Sequence, residues 1–188
     1  MHSLHEAIEA TAAAARNVAT DEHIKSICQH LQKSTKVFPL KKGHQFTDLS
    51  TKSGLYLFEI KFPFKTELEF SEFLMRWGSK GDKGLQKATS RAHPSRAAKH
   101  IEKVKGGEFI PLYLGKNQNV QTRVQQHLDG KAESGTYGLK LLTRSELLAG
   151  CELQVSYVTF DIGSDAYFCV EFLESAVRKA IHPIIGKQ

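Results

Sequence analysis

The stretch Ser53-Gly54-Leu55-Tyr56-Leu57-Phe58-Glu59-Ile60-Lys61 decides how the rest of the chain is read. It is opened by glycine, dense in residues that suit a pleated strand, and closed by Pro63, which cannot donate to a ladder and so ends the strand or confines it to an edge. Outward from it, Glu108-Phe109-Ile110-Pro111-Leu112-Tyr113-Leu114-Gly115 reads as a second strand. Val120, Val124 and Leu128 then recur at i, i+4 and i+8 with Gly130 just beyond, the pattern of a short amphipathic helix. Leu153–Phe160 alternates as a third strand. From about Ala166 to Ile181 a last helix is expected, with Phe172, Leu173, Ala176, Val177, Ala180 and Ile181 as its apolar stripe and His182-Pro183 as its stop. Upstream, residues 4–33 read as helical, through the Ala-rich run Ala7–Ala15 and a second amphipathic stretch opened by Asp21-Glu22. The expectation is an α+β fold: a three-stranded mixed or antiparallel sheet flanked by helices over residues 51–188, preceded by a helical segment over 1–50.

The 188 residues suffice for one buried core, and 40% hydrophobic content excludes wholesale disorder. No apolar run approaches the ~20 residues that span a bilayer. The first residues lack the basic-then-apolar pattern of a signal peptide, and Cys28, Cys151 and Cys169 match neither a disulfide framework nor a zinc site. A reducing cytoplasm and no membrane partner are the expectations. The formal charge is +6, and it is concentrated. From Met75 to Lys105 nine cations face only Asp82 and Glu102, a net +7, so the other 157 residues sum to −1. Lying between the first two strands, this basic segment reads as an insertion over about 62–107, broken by Gly78, Gly81, Gly84 and Pro94. One reading is a solvated, mobile insertion. The other is a phosphate-neutralising surface, with Lys80, Lys83, Lys87, Arg91 and Arg96 as contacts and Lys116 joining them after the second strand.

Several residues fall in a telling order. Gly54-Leu55-Tyr56 lies on the first strand and Tyr113-Leu114-Gly115-Lys116 on the second, while Arg123 and His127 share one helical face and Glu174 precedes Pro183 by nine residues. The joint order and spacing resemble the GIY-YIG nuclease superfamily over about residues 53–60 and 109–188. What the resemblance implies is a small sandwich fold and a one-metal DNA endonuclease using Mg²⁺ or Mn²⁺. Tyr56 would activate water, Tyr113 orient it, Arg123 and His127 serve the phosphate, and Glu174 hold the metal. The residue types suit that chemistry. Mg²⁺ keeps most of its waters and takes one or two carboxylates, and arginine grips phosphate bidentately. A free phenol has a pKa near ~10, so Tyr56 needs a nearby cation or a proton acceptor such as His127.

Two departures stand out. Tyr56 and Tyr113 are 57 positions apart where the family has a short hairpin, and Gly186 stands where many members carry Asn, so that role is either absent or supplied elsewhere, by His182 or Lys187. Glu171, one turn before Glu174, is a rival ligand. Each residue also has an ordinary reading: core tyrosines, a solvated Arg123–His127 face, and an i, i+4 pair between Glu174 and Arg178. The competing functional reading is a non-catalytic nucleic-acid-binding module on a degenerate scaffold. A homodimer built through the first 50 residues is a further possibility.

Overall fold

The computed structural model describes residues 3–78, 90–130 and 138–186. Helix α1 (Leu4–Val18) starts at a capping box in which the Ser3 and Glu6 side chains each satisfy the other's backbone N–H. Thr20 caps α2 (Asp21–Lys33), which buries Ile27 and Leu31. A three-residue strand, β1 (Lys36–Phe38), follows, and then the anticipated β2 (Gly54–Lys61). The inserted stretch contains α3 (Glu67–Gly78), β3 (Arg91–Ala92), α4 (Pro94–Ala97) and α5 (Ile101–Gly106), with a 3₁₀ turn joining the last two. Strand β4 (Ile110–Asn117), helix α6 (Val120–Asp129), strand β5 (Glu152–Thr159), helix α7 (Phe168–Ile181) and strand β6 (Ile185–Gly186) complete the described elements. No helix among the described residues is long and apolar enough to cross a membrane.

The fold is α+β, with an antiparallel four-stranded sheet ordered β1-β5-β2-β4 and a two-stranded sheet of β3 and β6. The three expected strands form the sheet, and β1 adds an edge. It carried no sequence signal, being three residues long with Val37 exposed. Every residue of β2 from Gly54 to Ile60 is buried because helices cover both faces. Leu55 and Leu57 point into a core with Ile27, Leu31, Val170, Leu173 and Val177 of α2 and α7. Tyr56, Phe58 and Ile60 point the other way, into the larger core with α3 and α6. Burying a large apolar side chain stabilises by about 1.5–3 kcal/mol, so this two-faced strand anchors the domain.

Three expectations change in detail. On α7 the buried stripe is Val170, Leu173 and Val177, while Phe172, one residue round the helix, is 48% exposed. The described part of the insertion is no mobile appendage: Phe70, Phe73, Leu74, Trp77, Ala97 and Val104 belong to the main core, and Trp77 Nε1 donates to the Ser90 carbonyl. Nor does the N-terminal segment stand apart, since Phe38, Phe46 and Leu49 join that same core. Lys80, Lys83, Lys87 and Lys187 lie outside the described residues.

Candidate active site

Strand register places the site. Tyr56 of β2 pairs with Gly115 of β4, and Phe58 with Tyr113, so both tyrosines stand on the same face. The register shifts just beyond, with Glu59 opposite Pro111, and Leu112 is the extra residue of a β-bulge. Gly115 is there because the Tyr56 ring lies across it: a Cβ at that position would stand 2.3 Å from Tyr56 Oη and 2.8 Å from Tyr113 Cε1. Gly54 answers a similar need, its absent Cβ leaving room for the Val158 carbonyl 2.1 Å away. The two signature glycines therefore permit close approach rather than a special turn.

Helix α6 closes over this face. Asn119 caps it, Val120, Val124 and Leu128 bury its apolar side, and His127 is wholly buried with them. The rings of Tyr56, Tyr113 and His127 form a cluster, with centroids 5.5 Å apart for Tyr56–His127 and 4.9 Å for Tyr113–His127. Tyr56 Oη lies 2.8 Å from His127 Nε2. On the other side of the ring, His127 Nδ1 accepts the Leu139 backbone N–H at 2.9 Å. A neutral imidazole with an accepting Nδ1 carries its proton on Nε2. Burial, followed by the Arg123 charge, holds the His127 pKa well below its ordinary value, so neutral is its state.

That geometry corrects two expectations. His127 has 0% exposure and cannot reach a phosphate. Nor can it take the Tyr56 proton, because its own Nε2–H donates to the Tyr56 oxygen. His127 is a positioning residue. The sequence placed it beside Arg123, four residues earlier on the same helix, but the i, i+4 relation does not say how deeply each side chain sinks. Arg123 is half-buried and its Nη1 donates to Gln126 Oε1 at 3.0 Å.

Tyr56 is itself 1% exposed, and burial drives its phenol well above the ordinary tyrosine range, with Tyr113 adding to the rise. The Arg123 charge and a hydrogen bond from Arg123 oppose that rise. The Tyr113 phenol is raised by burial and then by Glu174, and is eased by Arg123, by Arg178 and by a hydrogen bond from Tyr56. His127 thus holds Tyr56 by a hydrogen bond, and the Tyr56 ring stands 6.3 Å from that of Tyr113, the half-buried phenol at the outer end.

Glu174 reaches this cluster from α7. Because β4 is the sheet edge, a carboxylate from the helix on one face can meet phenols of the other around it. Its charge acts on Tyr56, Tyr113 and Tyr167, and it pairs with Arg178, the two side chains being only 13% and 19% exposed. Glu171 points elsewhere, into an ion pair with Lys116 in which the Glu171 side chain is 58% exposed. Sequence reading missed Tyr167, whose ring lies 5.2 Å from Lys116 Nζ and whose phenol is pushed up to about 12, chiefly by burial. The spacing of Tyr167, Glu171, Glu174 and Arg178 on one helical face was the available signal.

Among the described residues no group of three or more His, Cys, Asp and Glu is placed to share a metal. A single enclosed carboxylate does fit Mg²⁺, which binds through one or two carboxylates plus substrate phosphate and keeps its other waters. It does not fit zinc, which takes three or four protein ligands. At Gly186 the backbone pairs with Arg91 of β3, its carbonyl lies 3.2 Å from His93 Nε2, and Arg96 Nη1 sits 3.8 Å from where a Cβ would be. Arg91 is exposed and Arg96 half-buried. Comparison with protein-family models, curated proteins and solved structures finds no match to this chain.

Proposed function

We propose that the protein is a metal-dependent DNA endonuclease that hydrolyses phosphodiester bonds through a one-metal site of GIY-YIG type. The observation that carries this reading is the enclosed Tyr56–Tyr113–His127 cluster with Arg123 and Glu174 at its open side. A merely structural core would have little use for three polar rings, an arginine and a carboxylate converging at a sheet edge.

Glu174 would hold Mg²⁺ or Mn²⁺, which when bound supplies a Lewis acid to the scissile phosphate. Arg123, half-buried at the mouth, grips a phosphate oxygen and lowers the cost of ionising the phenols. His127 donates to Tyr56 and fixes its ring beside that of Tyr113, and the Tyr113 oxygen is the end that meets the attacking water. For this Tyr113 must be the phenolate, a form that the Arg123 charge favours: it takes the proton from that water and becomes the neutral phenol, and the negative charge passes to the hydroxide that attacks the phosphate. Tyr167 and Lys116 border the outer side, where Lys116 adds positive charge.

The competing reading is a nucleic-acid-binding module without catalysis. It is favoured by Gly186 in place of a side chain and by the engagement of Glu174 with Arg178. Supercoiled plasmid incubated with the chain separates the two. Nicking with Mg²⁺ that is lost in EDTA and in Glu174→Gln supports the nuclease. Binding without nicking under every metal tried supports the module.

A further inference from the structure

A second concave region, separate from the tyrosine cluster, lies between α2, the insertion and the end of α7. This cleft of about 540 Å³ is lined by Lys25 and Cys28 of α2, by Lys99, His100 and Lys103 of the insertion, and by His182. Asp21, at the start of α2, is the carboxylate among its lining residues. Lys25, Lys99 and Lys103 are all exposed to solvent. His182 closes α7 in a left-handed conformation (φ 53°), which turns its ring towards the insertion. Its Nε2 accepts from Lys99 Nζ at 2.9 Å, and His100 Nε2 donates to its carbonyl at 2.9 Å. Burial and the Lys99 and Arg96 charges keep His182 below its usual pKa, so the ring is a neutral acceptor.

The cationic surface does not stop at the cleft. Arg96 acts on His182 from one side and is itself affected by the charge of Arg178. Arg96 Nη1 and Arg178 Nε are both enclosed with no hydrogen-bond partner, while Arg178 Nη2 pairs with Glu174. Lysines 25, 99 and 103, then Arg96, then Arg178 therefore lead from α2 across the insertion to the carboxylate at the site. The three exposed lysines with half-buried Arg96 and Arg178 make a run of cations that one small anion could not occupy, whereas successive anions with the spacing of a chain would.

We propose that this course is the track for the sugar–phosphate backbone of the DNA strand leaving the catalytic site, with Arg96 and Arg178 on the phosphate nearest the metal-binding carboxylate and Lys99, Lys103 and Lys25 on those beyond. The proposal rests on the nuclease reading above. It gives the insertion a defined task, bringing Arg96 and Lys99 to a groove whose other wall is α2. The N-terminal helices thereby join the substrate surface.

The test measures binding of a fluorescein-labelled oligodeoxynucleotide, single-stranded and duplex, by the full chain in EDTA between about 50 and 200 mM salt. The variant Lys25→Gln/Lys99→Gln/Lys103→Gln is compared with a charge-matched control, Lys41→Gln/Lys42→Gln/Lys65→Gln, whose lysines are also exposed and lie outside the cleft. The expected result is a log–log salt slope for duplex shallower by about 2–3 in the cleft variant, with the control near the unmodified chain. Arg96→Gln should lower the slope by about 1. An unchanged slope in the cleft variant, or an equal change in the control, overturns the track and leaves the nuclease reading standing. An unmodified chain that binds neither DNA form overturns both.

Discussion

Tyr56 Oη lies 2.8 Å from His127 Nε2, and the proton in that bond belongs to the imidazole because Nδ1 is taken by the Leu139 N–H. The pair is buried, so each partner is costly to remove. Tyr56→Phe strands the Nε2–H and should cost about 1–3 kcal/mol. His127→Ala also leaves a cavity and an orphaned Leu139 N–H, and should cost about 2–4 kcal/mol. The double variant should cost less than the sum by more than about 0.5 kcal/mol. Urea unfolding of the four proteins checks this, and strict additivity would deny the coupling. Cleavage should fall at least ~100-fold in both single variants, because each removes the support that fixes the Tyr56 ring and its hydroxyl beside Tyr113.

Gly115→Ala tests the close approach of strand and ring. The added methyl would lie 2.3 Å from Tyr56 Oη, so the ring has to move. The expected result is about 1–3 kcal/mol of lost stability, with cleavage reduced further than that loss explains. Gly54→Ala meets the Val158 carbonyl, a backbone atom that cannot swing aside, and should be the more destabilising.

The same burial sets the pH range of stability. His127 is held neutral with a folded pKa well below the unfolded ~6.5, and His100 is lowered mainly by burial as well. Below pH ~6.5 the unfolded chain binds protons that the folded chain refuses. Stability is therefore complete above that value and declines as pH falls towards the depressed folded values, by up to about 1.4 kcal/mol per pH unit for each group. Tyr56 works in the opposite direction: its folded pKa is raised, so its contribution holds below ~10 and fades as pH rises beyond. Thermal melts across pH 4–11 should show a plateau between these limits, and His127→Gln should flatten the acid limb.

Glu174 and Glu171 can be told apart by function. Glu174→Gln removes the enclosed carboxylate beside the phenols and should reduce Mg²⁺-dependent cleavage by at least ~100-fold. Glu171→Gln loses only an exposed pair with Lys116 and should change cleavage by less than about tenfold. Mg²⁺ titration of cleavage for the two variants decides between them, and the reverse ranking would move the metal to Glu171.

The concentrated charge of residues 75–105 makes its own prediction. Neutralising Lys80, Lys83, Lys87 and Arg91 together should weaken DNA binding and lower the salt slope by up to about 4, read by fluorescence anisotropy. An unchanged slope would return these four cations to a solubility role.

The chain by itself determined the strands around Tyr56 and Tyr113 and the α6 and α7 helices, because hydrophobic period and local spacing are one-dimensional signals. Three matters were decided only in three dimensions. The depth of His127 follows from how α6 leans on β2 and β4, and that depth turned a supposed phosphate ligand into a buried donor. Glu174 was separated from Glu171 by the edge position of β4, which lets one carboxylate turn in to the phenols and leaves the other in solvent. The meeting of Arg96, Arg178 and His182 joins residues as much as 86 positions apart through the β3–β6 pairing. Spacing along a helix says which residues share a face. Burial and the partners across a sheet edge belong to the packing of distant segments, and no local pattern encodes them.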